Sequence, residues 1–288
     1  MALLLMMAGD VLSQSTSHFQ TLETKTDQWG RTPYSFCDMG AWHSYAAPKS
    51  LTDTLGFYGP WLMTENNGSH FAKFFGALLV TDPSQPVAFS PLQVTDYIDE
   101  NFYNNLHLDA SGSEIRLSGD VRFLSGRQSL TTYQLELAQN STAAVKLVGK
   151  IDREGCKMRI TDHGLEAITA DSLTIITLHI HGFDPQQLAI DGNHFSYGLK
   201  RLNNSCTVTF DTHVRFKSEK IEWYEKVDPD LPHLKYHAQI HGRVRGENWA
   251  HNYDDYPAFQ QLQSKCLSTL MSNWRSAAGE LKHDGIFP

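Results

Sequence analysis

Two histidines on one side of a predicted strand form the most metal-like feature of the sequence. His179 and His181 lie at positions i and i+2, and such side chains point to the same face of a strand. Imidazole nitrogens are common zinc ligands, and His237 or His241 is a candidate third ligand. Because the chain has 14 histidines, chance alone produces such a pair, and the favoured interpretation is surface histidines with no metal and no cofactor. A small metal-dependent enzyme stays as an alternative.

Carboxylates are the second group of residues that could do chemistry. Hydrolysis of a glycosidic bond needs two carboxyl groups that flank the bond. The candidates are clustered in sequence, which is typical of a solvated surface: Asp96, Asp99, Glu100, Asp254 and Asp255. Nothing in their spacing singles out an acid and a base, so we predict no catalytic residue. Phosphate-binding glycine loops, G-x-S-x-G and H-E-x-x-H are also absent from the sequence.

A dense aromatic stretch supplies the third candidate. It has the glycines and prolines of a loop, and its rings are Trp42, His43, Tyr45, Phe57, Tyr58 and Trp61. Aromatic faces stack on sugars, so Trp42, His43 and Trp61 are candidate substrate-binding residues. The competing interpretation is that these rings pack inside the fold, because so aromatic a loop needs burial. In that case we expect a mostly buried Trp42 and a hydrogen-bonded His43, with Asp38 as a candidate partner.

The elements that must position these residues read as strands. From residue 71 to 217, apolar and polar residues alternate with the period of two expected of half-buried strands. The apolar members of the clearest runs are Ile115, Leu117, Val121 and Phe123; Tyr133, Leu135 and Leu137; Val145, Leu147 and Ile151; and Val208, Phe210, Val214 and Phe216. Turn residues separate the runs at 111–112, 125–126, 191–193 and 203–204. We therefore predict a mainly β fold, a large antiparallel β-sandwich of two packed sheets.

The pattern changes after Lys217. Residues 218–227 read as a short helix, and residues 233–245 as a strand. From Pro257 to Trp274 the apolar residues recur at steps of three and four, which predicts a helix with one apolar face. The predicted organisation is a truncated signal peptide at 1–13, a sandwich domain at 14–245 and a helical linker at 246–288.

Composition limits the partners. With 32 acidic and 24 basic residues, the chain has a formal net charge of -8, which disfavours binding to nucleic acid. No stretch approaches the roughly 18 apolar residues of a membrane-spanning helix. Cys37, Cys156, Cys206 and Cys266 form no C-x-x-C pair, so disulfides and buried thiols both remain open.

The N-terminal residues suggest a cellular location. Residues 1–13 form a short apolar run that closes on Val11 and Ser13, a pattern that resembles a signal-peptidase site without the basic segment that normally precedes it. We expect a periplasmic or secreted protein. The alternative is an apolar N-terminus that frays.

Two short motifs carry a family resemblance. The residues FCDMGAWH at 36–43, followed by Gly56, Phe57 and Gly59, are similar to the N-terminal signature of bacterial glucosidases of glycoside hydrolase family 63. The residues NWRS at 273–276, followed by Gly279, resemble the segment where that family passes into its catalytic domain.

The resemblance implies a fold and a role. In that family a large β-sandwich is joined by helices to an (α/α)6 barrel, and the barrel carries the general acid and general base of an inverting hydrolysis. Pro288 falls where the barrel would begin, so no catalytic residue is carried onto this chain. The expected function is a non-catalytic N-domain of an exported α-glucosidase-like hydrolase, which braces a barrel in the same or a separate chain and shapes an oligosaccharide cleft. The alternative is an independent carbohydrate-binding module.

Overall fold

The fold is built almost entirely of strands. A computed structural model describes residues 36–47, 54–62, 69–81, 92–98, 104–112, 115–217, 274–275, 283 and 285–286. Its elements, besides a 3-10 helix at Pro185–Gln187, are β1 His43–Ala46, β2 Thr54–Leu55, β3 Tyr58–Leu62, β4 Ser69–His70, β5 Ala72–Thr81, β6 Leu92–Ile98, β7 Asn104–Ser111, β8 Ile115–Ser125, β9 Gln128–Leu137, β10 Ala144–Ile151, β11 Lys157–Thr161, β12 Gly164–Ile168, β13 Thr174–Ile180, β14 Leu188–Asp191, β15 His194–Gly198, β16 Ser205–Phe216, β17 Trp274–Arg275 and β18 Gly285–Ile286.

Two eight-stranded sheets face each other. Sheet I has the order β1-β3-β5-β10-β15-β14, with β2 paired to β5 and β4 paired to β3. Sheet II has the order β11-β12-β13-β16-β9-β8-β7-β6. The ladders are antiparallel, except that Gly59 of β3 pairs in parallel with Phe74 of β5. The predicted antiparallel sandwich is therefore confirmed.

The predicted alternation sets the inner face of each sheet. The apolar residues that the alternation predicts for β8, β9 and β10 are all buried, and the residues next to them in sequence are more exposed. In β16 the pattern holds through Val214, but Asp211 and Arg215 are buried as well and Phe216 is only half-buried. The reason is that Asp211 and Arg215 have charged or polar partners on the outer face of sheet II. The alternation of apolar and polar residues cannot by itself predict that these outer-face side chains are buried.

Aromatic rings of sheet II reach the backbone of sheet I. The Phe57 amide donates a hydrogen bond to the Tyr133 hydroxyl at 3.0 Å, and the two rings stack at 5.9 Å. Burial raises the pKa of Tyr133 far above its ordinary value, so the hydroxyl stays protonated. At Gly76, a bulge in β5, an added Cβ would lie 2.7 Å from the Phe210 ring. The sheets thus approach closely where sheet I lacks a side chain.

Two sequence predictions are wrong. The aromatic stretch that was expected to be a loop forms strands β1, β2 and β3, because most of its rings are buried and its backbone pairs across sheet I. Trp274, predicted to end a helix, instead pairs with Ile286 in a two-stranded ladder. Tryptophan and isoleucine both favour strands.

Several predictions lie outside the described residues. These are the helix at 218–227, the strand at 233–245, the helix at 257–273 and Cys266, and the predicted domain boundaries stay predictions. Cys156 and Cys206 are thiols, and the Cys37 thiol donates to the Ala41 carbonyl at 3.4 Å. Over the part of the chain that the structure describes, no helix is long and apolar enough to cross a membrane.

The close approach at Gly76 generates a stability prediction. Gly76→Ala should lower the free energy of unfolding by about 2 kcal/mol more than Gly182→Ala, measured by urea denaturation. Both glycines have positive φ, at 112° and 71°, but nothing lies within 4 Å of a Cβ at Gly182, whereas Phe210 blocks one at Gly76. Equal losses for the two variants would show that backbone conformation alone matters at Gly76.

Candidate functional site

The residues at 36–43 fold into a tight hairpin. Phe36 and Tyr45 exchange backbone hydrogen bonds at 2.6 and 2.9 Å. The turn between them is closed by the Ala41 amide, which donates to the Asp38 carbonyl at 3.0 Å. Met39 and Gly40 have φ of 56° and 66°, and the Asp38 carboxylate accepts from the Met39 amide at 2.7 Å. The hairpin therefore needs the small residue Gly40 and a short acceptor at Asp38.

The hairpin places two polar rings against sheet II. His43 Nε2 and the Tyr45 hydroxyl each lie 2.9 Å from the Ser129 hydroxyl. Ser129 also donates toward the Thr212 carbonyl at 3.5 Å, on the neighbouring strand β16. A serine hydroxyl has one donor and two acceptor sites, so Ser129 can serve all three partners. These contacts define the Ser129 hub, made of His43, Tyr45, Ser129 and Thr212.

The Ser129 hub lies inside the sandwich. His43, Ser129 and Thr212 are fully buried, and Phe123 packs against the His43 ring at 5.1 Å. Burial raises the pKa of Tyr45 to about 12, so its hydroxyl is protonated and available as a donor. The predicted hydrogen bonding of His43 is observed with Ser129, while its contact with Asp38 stays a prediction.

Trp42 lies at the end of the sandwich. Its amide donates to the Gly126 carbonyl at 3.4 Å, in the turn between β8 and β9, and its ring meets the Phe216 ring edge-on at 5.5 Å. Arg127 stands over Phe216, with its guanidinium carbon 5.5 Å from the ring centroid. Trp42 is half-buried rather than mostly buried, because it packs on this end and not between the sheets.

The three candidate sugar-binding residues therefore differ in access. His43 has no exposed surface and Trp61, on β3, is 6% exposed. A buried ring offers no face to a sugar, which favours the packing interpretation for both. Trp42 keeps some exposed surface, and sugar contact by Trp42 stays a prediction.

The two candidate metal ligands meet a buried carboxylate. His179 and His181 project from the outer face of sheet II, opposite the buried Ile176, Leu178 and Ile180. His181 Nε2 lies 2.7 Å from Asp211 Oδ2, and His179 Nδ1 lies 3.9 Å from the same oxygen. The bond to Asp211 raises the pKa of His181, whereas burial lowers that of His179. In the described ranges no group of three or more His, Cys, Asp or Glu is arranged to hold a metal ion. His237 and His241 lie outside those ranges.

The carboxylate candidates from the sequence are mostly outside the described residues. Only Asp96, on β6, falls within them.

Two charged clusters were missed by sequence reasoning. Glu166, 3% exposed, is held between Arg159 at 2.6 Å and Arg215 at 3.4 Å on the outer face of sheet II. His107 bridges two carboxylates, with Nδ1 2.8 Å from Asp120 and Nε2 2.9 Å from Asp109. The spacing of His107 and Asp109 puts them on one face of β7, so the contact between these two residues could have been predicted from the sequence. Asp120 and the Glu166 partners come from other strands, and only the register brings them there.

The first prediction from these contacts concerns Ser129. Ser129→Ala should reduce the free energy of unfolding by about 2 kcal/mol, because it removes hydrogen bonds from two buried rings. The measurement is urea denaturation, with Ser196→Ala on β15 as the control serine. A loss no larger than that of Ser196→Ala would contradict the Ser129 hub as a stabilising element.

The second prediction concerns pH. The hydrogen bond to Asp120 raises the pKa of His107 from 6.5 to about 9, with Asp109 adding to it against the effect of burial. Folding therefore favours the protonated ring: this stability is complete below pH 6.5 and is lost as the pH rises through about 9. His107→Gln should destabilise the protein at pH 6 and have little effect at pH 10, by urea denaturation. Exposed His194→Gln is the control, and a pH-independent difference for His107→Gln would contradict the assignment.

The N-terminal half of the chain matches a known family of protein domains. Residues 16–160 match the family model described as glucosidase YgjK, N-terminal, which covers half of the 288 residues. The match includes the hairpin at 36–43, both ring contributors to the Ser129 hub, and strands β1 to β10. It confirms the resemblance to the N-domains of glycoside hydrolase family 63. The chain therefore belongs to the family of glucosidase YgjK N-terminal domains.

Proposed function

We propose that this sandwich is the non-catalytic N-terminal domain of an α-glucosidase-like glycoside hydrolase. In this role it braces the catalytic barrel and shapes one rim of the sugar-binding cleft. The observation that carries the proposal is the family match over residues 16–160, which includes the hairpin at 36–43.

The use of the hairpin residues supports a bracing role. The polar atoms of His43 and Tyr45 form hydrogen bonds with Ser129 inside the sandwich, and Ala41 is fully buried. Residues used in this way hold the two sheets in one arrangement. A rigid sandwich is what a domain needs if it is to support a neighbour.

The buried carboxylates also support a non-catalytic role. Asp38, Glu166 and Asp211 are the buried acidic residues of the described ranges. Asp38 accepts from the Met39 amide, Glu166 is held by two arginines, and Asp211 is bonded to Gln128 and His181. A glycosidase acid and base must instead face a shared substrate bond.

The proposal includes a partner domain and a cellular location. The partner is an (α/α)6 catalytic domain, in the same chain or in a separate one, and the ligand of the assembled cleft is an oligosaccharide. Export to the periplasm or beyond is also proposed, supported by the signal-like pattern of residues 1–13.

A direct test uses the purified 288-residue chain. It should show no hydrolysis of p-nitrophenyl α-glucoside, because the acid and base are expected on the barrel. A family 63 catalytic domain expressed without its own sandwich should bind the chain. This binding should raise the melting temperature of the 288-residue chain. Turnover by the chain alone that is abolished by a single carboxylate substitution would overturn the proposal.

A glycan-binding measurement separates the alternative module. Calorimetric titration of the chain with maltose and larger α-glucans should give no saturable binding. Saturable binding that is lost in Trp42→Ala with an unchanged melting temperature would favour an independent carbohydrate-binding module.

A further inference from the structure

The two sheets differ in the side chains that their central strands turn outward. In sheet II, every second residue of 115–123 in β8 and of 129–137 in β9 is buried. The residues between them are polar except for Leu130: Arg116, Ser118, Asp120, Arg122, Thr132, Gln134 and Glu136. This is the composition of an antiparallel sheet with one face on a core and the other face toward water.

Sheet I turns apolar residues outward at its centre. In β10 the outward residues alternate with members of the core between the sheets. The register of β5 with β10 places these residues in three cross-strand pairs: Leu79 with Lys146, Ala77 with Val148, and Phe74 with Lys150. Residues paired across an antiparallel ladder lie on the same side of the sheet, so the six side chains share the outer face. We call these six residues the outer patch of sheet I.

The apolar members of the outer patch stand apart from the core. Phe74, Leu79 and Val148 are half-buried, and none of them is among the described residues that form the core cluster or pack against it. Ala77 is 1% exposed and also lies outside that cluster. A sheet with apolar side chains on both faces is normally covered on both faces. We therefore expect a further layer of protein on the outer face of sheet I.

Two lysines flank the apolar part of the outer patch. Lys146 and Lys150 lie on either side of Val148 along β10. Both charged members of the patch are thus basic, in a chain whose formal net charge is -8. A second copy docked by twofold symmetry about Val148 would bring the lysines of the two copies together, and like charges in contact disfavour such a pairing. The outer patch fits instead a partner that presents apolar residues beside carboxylates.

We infer that the outer patch of sheet I is the surface on which the catalytic barrel docks, with barrel carboxylates next to Lys146 and Lys150. The docking partner comes from the proposed function, on which this inference rests. An apolar centre with charged residues around it is the usual anatomy of a specific interface. The polar centre of the outer face of sheet II is left to the solvent.

Binding of a family 63 catalytic domain, expressed without its own sandwich, to the full 288-residue chain tests the outer patch. The dissociation constant is measured by isothermal titration calorimetry for the unchanged chain and for two matched pairs of variants. Leu79→Ala is compared with Leu130→Ala, because both positions hold half-buried leucines on outer faces. Lys146→Glu is compared with Arg116→Glu, because both positions hold exposed basic residues on outer faces.

The two variants of the outer patch should each weaken binding by about tenfold, whereas the two variants of sheet II should bind as the unchanged chain does. Binding by the unchanged chain should also weaken as the salt concentration rises, and this dependence should be smaller in Lys146→Glu. Because Lys146 is exposed, Lys146→Glu keeps the test decisive if Leu79→Ala folds poorly.

Three results would overturn the inference, and they differ in what they say of the proposed function. Equal binding by both members of each pair would exclude docking on the outer patch and leave the proposed function standing. Failure of the unchanged chain to bind the catalytic domain would overturn the proposed function as well. A dimer of the chain alone, seen by sedimentation velocity and lost in Leu79→Ala but not in Leu130→Ala, would assign the outer patch to a second copy.

Discussion

The Ser129 hydroxyl joins the two sheets by polar bonds in a mostly apolar interior. Apolar packing is non-directional, so it brings two sheets together without fixing how one is placed over the other. Hydrogen bonds from His43 and Tyr45 to one hydroxyl have a defined geometry, and a buried ring nitrogen or phenol without a partner would carry a large penalty. The Ser129 hub therefore fixes β1 over β9. The hairpin at 36–43 and the packing of Phe123 both follow from that placement.

The outer face of sheet II carries two groups of charged and ionisable side chains. On the half that contains β7 and β8, His107 lies between two carboxylates, and these charges attract. On the half that contains β12, β13 and β16, Glu166 is compensated by arginines, whereas Asp211 faces a concentration of imidazoles. On both halves, charged partners meet because the strand register brings them together.

Membership of the YgjK N-terminal family gives the aromatic hairpin a clear meaning. The residues that suggested a sugar-binding loop are used to build β1 and β3, and His43 and Trp61 are buried there. His43 and Trp61 therefore report on how this domain is assembled, while sugar contact by Trp42 stays a prediction.

The sequence by itself determined the strand pattern between residues 71 and 217, the two-sheet sandwich and the family. Alternation in β8, β9 and β10 is local, because each strand residue faces the core or the solvent according to its own position, and this is why it could be predicted. The tertiary structure alone decided the partners: His43 meets Ser129 across 86 positions, and His181 meets Asp211 across 30. Strand order and register set these meetings, and neither has a local signature. For the same reason burial of Asp211 and Arg215 on the outer face could not be predicted from a period of two, since it depends on which charged neighbours the register supplies.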